Sequence, residues 1–165
     1  MARTPLSLKA RAIGLLAQRE HSRIELRRKL LVIERRTREA AGDADATETA
    51  GEAEEAGVTA VDALLDTLAA EGYLDETRFV ESRLHVRAGR FGAQRIQQEL
   101  ARHGLQLDAE QQAALRATEM ERAREVWHKR FGPEPARDVT EQARQARFLM
   151  ARGFSPELVR RLLRA

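Results

Sequence analysis

An all-α chain built from repeated helical units is predicted by three observations. First, three helices open alike, with a small residue, an apolar residue four places on and Leu eight places on: Ser22, Leu26, Leu30; Gly92, Ile96, Leu100; and Ser155, Val159, Leu163. Steps of four run along one helix face, and Ser or Gly suits the non-helical backbone of an N-cap. Just before each opening stands His21, Phe91 or Phe154, and six places before it Leu16, Val86 or Leu149. The repeat is therefore at least a helix pair, its second helix starting at the opening. Second, 4% aromatic and 33% charged residues describe Leu/Ala cores beneath a charged surface, not strands. Third, helix start and stop signals recur along the whole length.

The first helix is expected from about Leu6 to Arg19, with Leu8, Ala12, Leu15 and Leu16 on one face. Ser22 with Glu25 forms a capping box opening a second helix, which turns Leu26, Leu30 and Ile33 inward and Arg23, Arg27, Arg28 and Lys29 mostly outward. Residues 37–57 contain no large apolar side chain and read as an acidic, low-complexity linker, although their Ala and Glu could extend either neighbouring helix. Helical period resumes with Val61, Leu64, Leu65 and Leu68, and Gly72 is placed as a left-handed cap. Asp75 opens a helix carrying Phe79, Val80 and Val86. Gly89 and Gly92 bracket the next joint, before a helix of about Ala93 to His103 stopped by Gly104. Asp108 with Gln111 opens a short helix ending near Ala117. A longer one carries Met120, Ala123, Trp127 and Phe131 until Gly132, Pro133 and Pro135 end it. Asp138 with Glu141 opens a helix to Arg152, Gly153 stops it, and Ser155-Pro156 starts the last. The count is about nine helices. In domain terms, residues 1–36 hold the first two helices of the first repeat, 37–57 the linker, 58–117 its third helix and the middle repeat, and 118–165 the C-terminal repeat.

Repeated helical units present faces to other macromolecules more readily than they enclose a catalytic cleft, so a binding protein is expected. The net charge of +3 conceals a segregation: residues 37–57 carry seven carboxylates against Arg38, a net −6, which leaves +9 on the remainder. A basic helical surface favours polyanionic partners. With no cysteine, disulfides, thiolate catalysis and Cys-ligated zinc are excluded; that and the lack of a long apolar run predict a cytoplasmic protein without a membrane partner. His21, His85, His103 and His128 show no i, i+4 pair for a metal, and no phosphate-binding Gly-Lys loop occurs, so neither metal, cofactor nor enzymatic activity is expected. Trp127 and the Phe residues sit at core spacing. The remaining constellation is basic: Arg23, Arg27, Arg28 and Lys29, then Arg83, Arg87, Arg90 and Arg95, then Arg152, Arg160, Arg161 and Arg164. Stacked repeats could align these into a stripe for an acidic groove or phosphate backbone.

Four stretches resemble the bacterial RecX family: Arg19 to Leu30 (REHSRIELRRKL), Glu71 to Phe79 (EGYLDETRF), Gly92 to Leu100 (GAQRIQQEL) and Arg147 to Ser155 (RFLMARGFS). The likeness covers nearly the whole chain in the right order. It implies tandem three-helix repeats in an elongated, curved, solenoid-like shape. It also implies a negative regulator of the RecA recombinase in homologous recombination, DNA repair and the SOS response. Such a regulator binds the groove of the RecA filament and suppresses ATP hydrolysis, strand exchange and coprotease activity. Direct contact with single- and double-stranded DNA through the backbone is implied too, and a monomer is expected. The acidic stretch is longer than the family pattern suggests. The rival reading is a stand-alone, non-specific nucleic-acid-binding helical protein; against a base-reading version, no helix carries a compact Asn/Gln/Arg/Ser set.

Overall fold

Hydroxyl and carboxylate caps set where the helices begin. The computed structural model describes residues 5–42, 49–134 and 136–164, and among them the chain forms nine helices and no strand. These are α1 (Leu8–Gln18), α2 (Arg23–Ala40), α3 (Thr49–Ala70), α4 (Glu76–Arg87), α5 (Ala93–Ala101), α6 (Ala109–Ala117), α7 (Glu119–Phe131), α8 (Val139–Ala151) and α9 (Pro156–Arg164). Ser7 caps α1 by accepting from the Ala10 N–H at 3.1 Å, so the helix starts later than the apolar pattern suggests and Leu6 is left 68% exposed. Asp108 and Gln111 form a reciprocal capping box. Ser22 accepts from the Glu25 N–H, but the Glu25 carboxylate turns to Arg19 and Lys29. Asp75, Asp138 and Ser155 accept from the N–H three residues on.

The acidic stretch is helical at both described ends: residues 37–40 finish α2 and residues 49–57 begin α3, as its Ala and Glu content permits. Residues 43–48 of the expected linker, and Pro135 of the Gly-Pro stop, lie outside the described residues.

The chain divides into two compact units, with the boundary inside α4 between Phe79 and Val80. In the first, Ala12 of α1, Leu26 and Leu30 of α2 and Val61, Leu65 and Leu68 of α3 are fully buried together, with Leu74 beside them. Each fully buried Leu contributes about 1.5–3 kcal/mol of transfer free energy. Gly72, at φ +80°, lets the chain reverse so that the Tyr73 and Leu74 N–H groups both donate to the Leu68 carbonyl. In the second unit Ala123, Trp127, Leu149, Phe154, Val159 and Leu162 form the core of α7, α8 and α9. The Trp127 Nε1–H donates to the buried Gln145 side chain at 2.8 Å.

Counting helices corrects the phase of the repeat. Ser22 and Gly92 open α2 and α5, the second helices of the triplets α1–α3 and α4–α6, whereas Ser155 opens α9, the third helix of α7–α9. The Leu match slips there as well: Leu30 and Leu100 are fully buried, but in α9 Leu162 is buried and Leu163 only half so. A helix end common to both positions, small cap then apolar fourth residue, produced the match. The second helices of the first two triplets share another device. The Arg23 N–H, first in α2, donates to the carboxylate of Glu76 at 3.0 Å, and the Ala93 N–H, first in α5, to that of Glu119 at 2.9 Å. Glu76 and Glu119 are the first residues of α4 and α7, so each second helix receives a carboxylate from the head of the following triplet.

His21 is buried at 1% exposure, with Nδ1 2.9 Å from the Arg19 carbonyl and Nε2 3.2 Å from Lys29 Nζ. The neutral ring satisfies both, Nδ1–H donating and Nε2 accepting. Burial, the largest cause, lowers its pKa from the usual value. The unfolded chain therefore takes up the proton first, so this contribution to stability is complete above about pH 6.5 and is lost as pH falls below it. His21→Phe, which installs the side chain found at Phe91 and Phe154, should unfold with a smaller drop in melting temperature between pH 7.5 and 5.5 than the wild type. Equal drops measured by circular dichroism would mean that His21 titrates alike in both states.

Candidate basic interface

Most of the basic charge on α2 is paired with carboxylates of its own unit. Arg27 makes a forked contact with Asp62 of α3, Nε to Oδ1 at 2.7 Å and Nη2 to Oδ2 at 3.1 Å, and Arg23 reaches Asp66 at 2.6 Å. The hydrogen bond between them is the chief cause both of the raised Arg27 pKa and of the lowered Asp62 pKa. Lys29 lies between His21 and Glu25. Arg28 is exposed, has no carboxylate within 4 Å among the described residues, and borders Leu15, Val32 and Ile33. Of Arg23, Arg27, Arg28 and Lys29, Arg28 is the one without a carboxylate partner among the described residues.

The second unit gathers its arginines around one ring. Arg83 and Arg87 of α4 converge on Glu99 of α5, at 3.4 and 3.1 Å. The guanidinium carbons of Arg95, Arg152, Arg87 and Arg90 lie 4.9, 5.4, 5.5 and 5.8 Å from the centre of the Phe91 ring. Such placements over an aromatic face are attractive, about 0.5–1 kcal/mol each when exposed. Whereas His21 and Phe154 are buried at their joints, Phe91 is half-buried, and the arginines cover what the core leaves open. Arg95 is steered by donating to the Ala151 carbonyl at 3.0 Å, and Arg152 leans toward the Arg90 carbonyl at 3.5 Å. Arg90, Arg95 and Arg152 have no carboxylate within 4 Å among the described residues. Beside them opens a cavity of about 460 Å³, with Phe91, Gln94, Arg95, Gln98, Arg102 and Met150 on its walls. Arg160, Arg161 and Arg164 of α9 are exposed and likewise unpaired with carboxylates among the described residues.

Backbone contact between two joints creates this convergence. The Gly92 N–H donates to the Arg152 carbonyl at 2.8 Å and the Gln94 N–H to that of Gly153 at 3.3 Å, so the α4–α5 joint lies directly on the α8–α9 joint. Arg122 of α7 fastens the same place: Nη1 donates to the carbonyls of Ala88 and Phe91 at 2.7 and 2.8 Å, and Nη2 to that of Leu115 at 2.9 Å. Burial draws the Arg122 pKa down.

Sequence reasoning placed Phe91 in the core and passed over Arg102, Arg122 and Gln94. The usable signal was the spacing of Arg87, Arg90 and Arg95 around a lone Phe. Among the described residues, no three His, Asp or Glu side chains could hold a metal ion, and no helix is long and apolar enough to cross a membrane.

Comparison with known proteins gives a matching family model, the RecX third three-helix domain, over residues 117–163, which covers α7, α8 and all but the last residue of α9. The chain is also similar along its length to curated proteins. It is 48% identical over 165 residues to the regulatory protein RecX of Ralstonia pickettii, covering 99% of this chain and 90% of that one. It is 49% identical over 164 residues to that of Leptothrix cholodnii, covering 98% and 90%. Identity to that of Herminiimonas arsenicoxydans is 42% over 167 residues, covering 100% and 96%.

Proposed function

The chain belongs to the RecX family of regulatory proteins, and from that premise we infer that it is a negative regulator of RecA, acting in the groove of the RecA–DNA filament in the cytoplasm. Bound there it restrains ATP hydrolysis, strand exchange and coprotease activity by occupancy, with no covalent chemistry of its own. Similarity over the full length carries this reading, since it embraces both compact units and not a single module. The arginines left without internal counter-charge, Arg90, Arg95 and Arg152 around Phe91 and Arg160, Arg161 and Arg164 on α9, support a surface that meets anions.

Added in amounts well below those needed to cover the DNA, the protein should inhibit RecA's ATP hydrolysis on single-stranded DNA. A parallel measurement of its own DNA binding at the same salt fixes what covering requires. Inhibition confined to DNA-saturating amounts would sink the filament reading and leave a basic helical nucleic-acid-binding protein.

A further inference from the structure

We propose that the channel between α1 and α2 is a docking groove for an amphipathic helix of a protein partner, one whose apolar stripe is flanked by carboxylates. Two hollows, of about 380 and 500 Å³, share Ile33 as a wall. Leu15, Val32 and Ile33 floor the first, and Leu6 and Leu8 line the second. The core does not consume these side chains: Leu6 is 68% and Val32 38% exposed, and Leu8, Leu15 and Ile33 are half-buried. Leu8 and Leu15 stand seven residues apart on α1, about 10 Å of helix, so the floor spans two turns of an incoming helix.

The rim decides what chemistry that helix carries. Arg11 on the α1 side and Arg28 and Arg36 on the α2 side have no carboxylate within 4 Å among the described residues. Arg36 stands three residues after Ile33 and four after Val32, which places it on the same face of α2. Glu34, the single acid lining the two hollows, is already tied to Arg38 at 3.7 Å. Unbalanced cations around an aliphatic floor repel a basic segment and match an apolar stripe with acidic flanks. A phosphate backbone would meet the cations but make no use of the floor. Gly14 supplies an independent observation. It sits inside the eleven-residue α1, where glycine is a poor helix former, and no atom of the chain lies within 4 Å of the place its Cβ would take. Packing within the chain therefore does not require it, unlike Gly57, Gly92 and Gly153, whose added Cβ would collide with neighbours. Next to Leu15 and one turn beyond Arg11, Gly14 bares the backbone at the outer lip of the groove, where a partner helix approaches closely.

RecA plays no part in the test, so its result is separate from that of the ATPase experiment. The probe is a labelled helical peptide of about sixteen residues, with a leucine stripe and glutamates on both flanks, titrated with the full chain by fluorescence anisotropy. Peptides with the stripe scrambled, or with lysine for glutamate, should bind at least about tenfold more weakly. Val32→Glu should weaken binding of the first peptide about tenfold, and so should Arg28→Gln combined with Arg36→Gln, which also flattens its salt dependence. Arg28 and Arg36 make no side-chain hydrogen bond or ion pair among the described residues, so the double variant keeps the fold. Gly14→Ala should melt higher than the wild type yet bind several-fold more weakly, a combination that a purely structural role does not produce. Val139→Glu on α8, an exposed apolar site away from the groove, should change binding by less than about twofold. Equal binding of the scrambled peptide, or wild-type affinity in both Val32→Glu and the arginine pair, would overturn the assignment. So would a mass that doubles with concentration and returns to monomer in Val32→Glu, which would give the groove to a second copy of this chain. Binding to phosphatidylglycerol vesicles in place of the peptide, lost in the same variant, would give it to a lipid surface and overturn it equally.

Discussion

Gly92→Ala should destabilise the second unit by about 3 kcal/mol or more, a loss drawn from a close backbone approach and not from a missing contact. A methyl group at Gly92 would run into the Gly153 carbonyl and the Phe154 amide nitrogen, backbone atoms that cannot rotate away. Relief requires the two joints to part, and parting breaks the bonds from Gly92 to Arg152 and from Gln94 to Gly153. Gly153 is constrained from the other side: it sits at φ +88°, where a side chain is strained, and a methyl there would strike the Arg95 Cβ and backbone nitrogen. At roughly 2–4 °C per kcal/mol for a chain of this size, the melting temperature should fall by about 6–12 °C. Trp127 lies in the same unit and reports the transition by its fluorescence. Gly89→Ala, with open space around the new methyl, should stay within about 1 kcal/mol of the wild type. Similar losses at both glycines would show that chain flexibility, not collision, governs this joint.

Arg122→Met should cost about 2–4 kcal/mol, although it keeps most of the side chain's length and apolar stem. The methionine leaves the carbonyls of Ala88, Phe91 and Leu115 without the guanidinium that gathers them. Those three belong to the end of α4, the joint after it and the end of α6, so one side chain ties together pieces that lie far apart in sequence. Arg122→Lys should recover only part of the loss, because one ammonium cannot reproduce the planar fork serving carbonyls on two nitrogens. Urea denaturation followed through Trp127 gives both numbers. Full recovery by lysine would mean that charge alone matters at this position.

These two residues also mark where reading the sequence stops. Caps are local, so Asp75, Asp108, Asp138 and Ser155 could be assigned from a few neighbours, and the all-α repeat fold followed from them and from the apolar period. Family membership was legible for the same reason, since the motifs of the helix joints survive as short strings. What could not be read is the partner each charge chooses across long separations. Arg23 and Arg27 look like any solvated arginine on α2 until Asp66 and Asp62, some forty and thirty-five residues later, are brought opposite them. Arg122 has no distinguishing neighbour at all. The third helix opening was assigned to the wrong place in its triplet because the pattern of a helix start carries no count of the helices before it.

The carboxylates of Glu76 and Glu119 have a consequence for how such a chain could be cut and rejoined. In the first two triplets the second helix is finished by a carboxylate that lies beyond the triplet's own last residue, so a module excised at the obvious seam, just before α4 or α7, leaves its cap behind. The third triplet differs: its second helix, α8, opens on Asp138, which supplies a carboxylate from within. The transferable building block is therefore offset from the apparent one by a single glutamate, and a chimera that ignores the offset discards a charged cap worth about 1 kcal/mol at every splice.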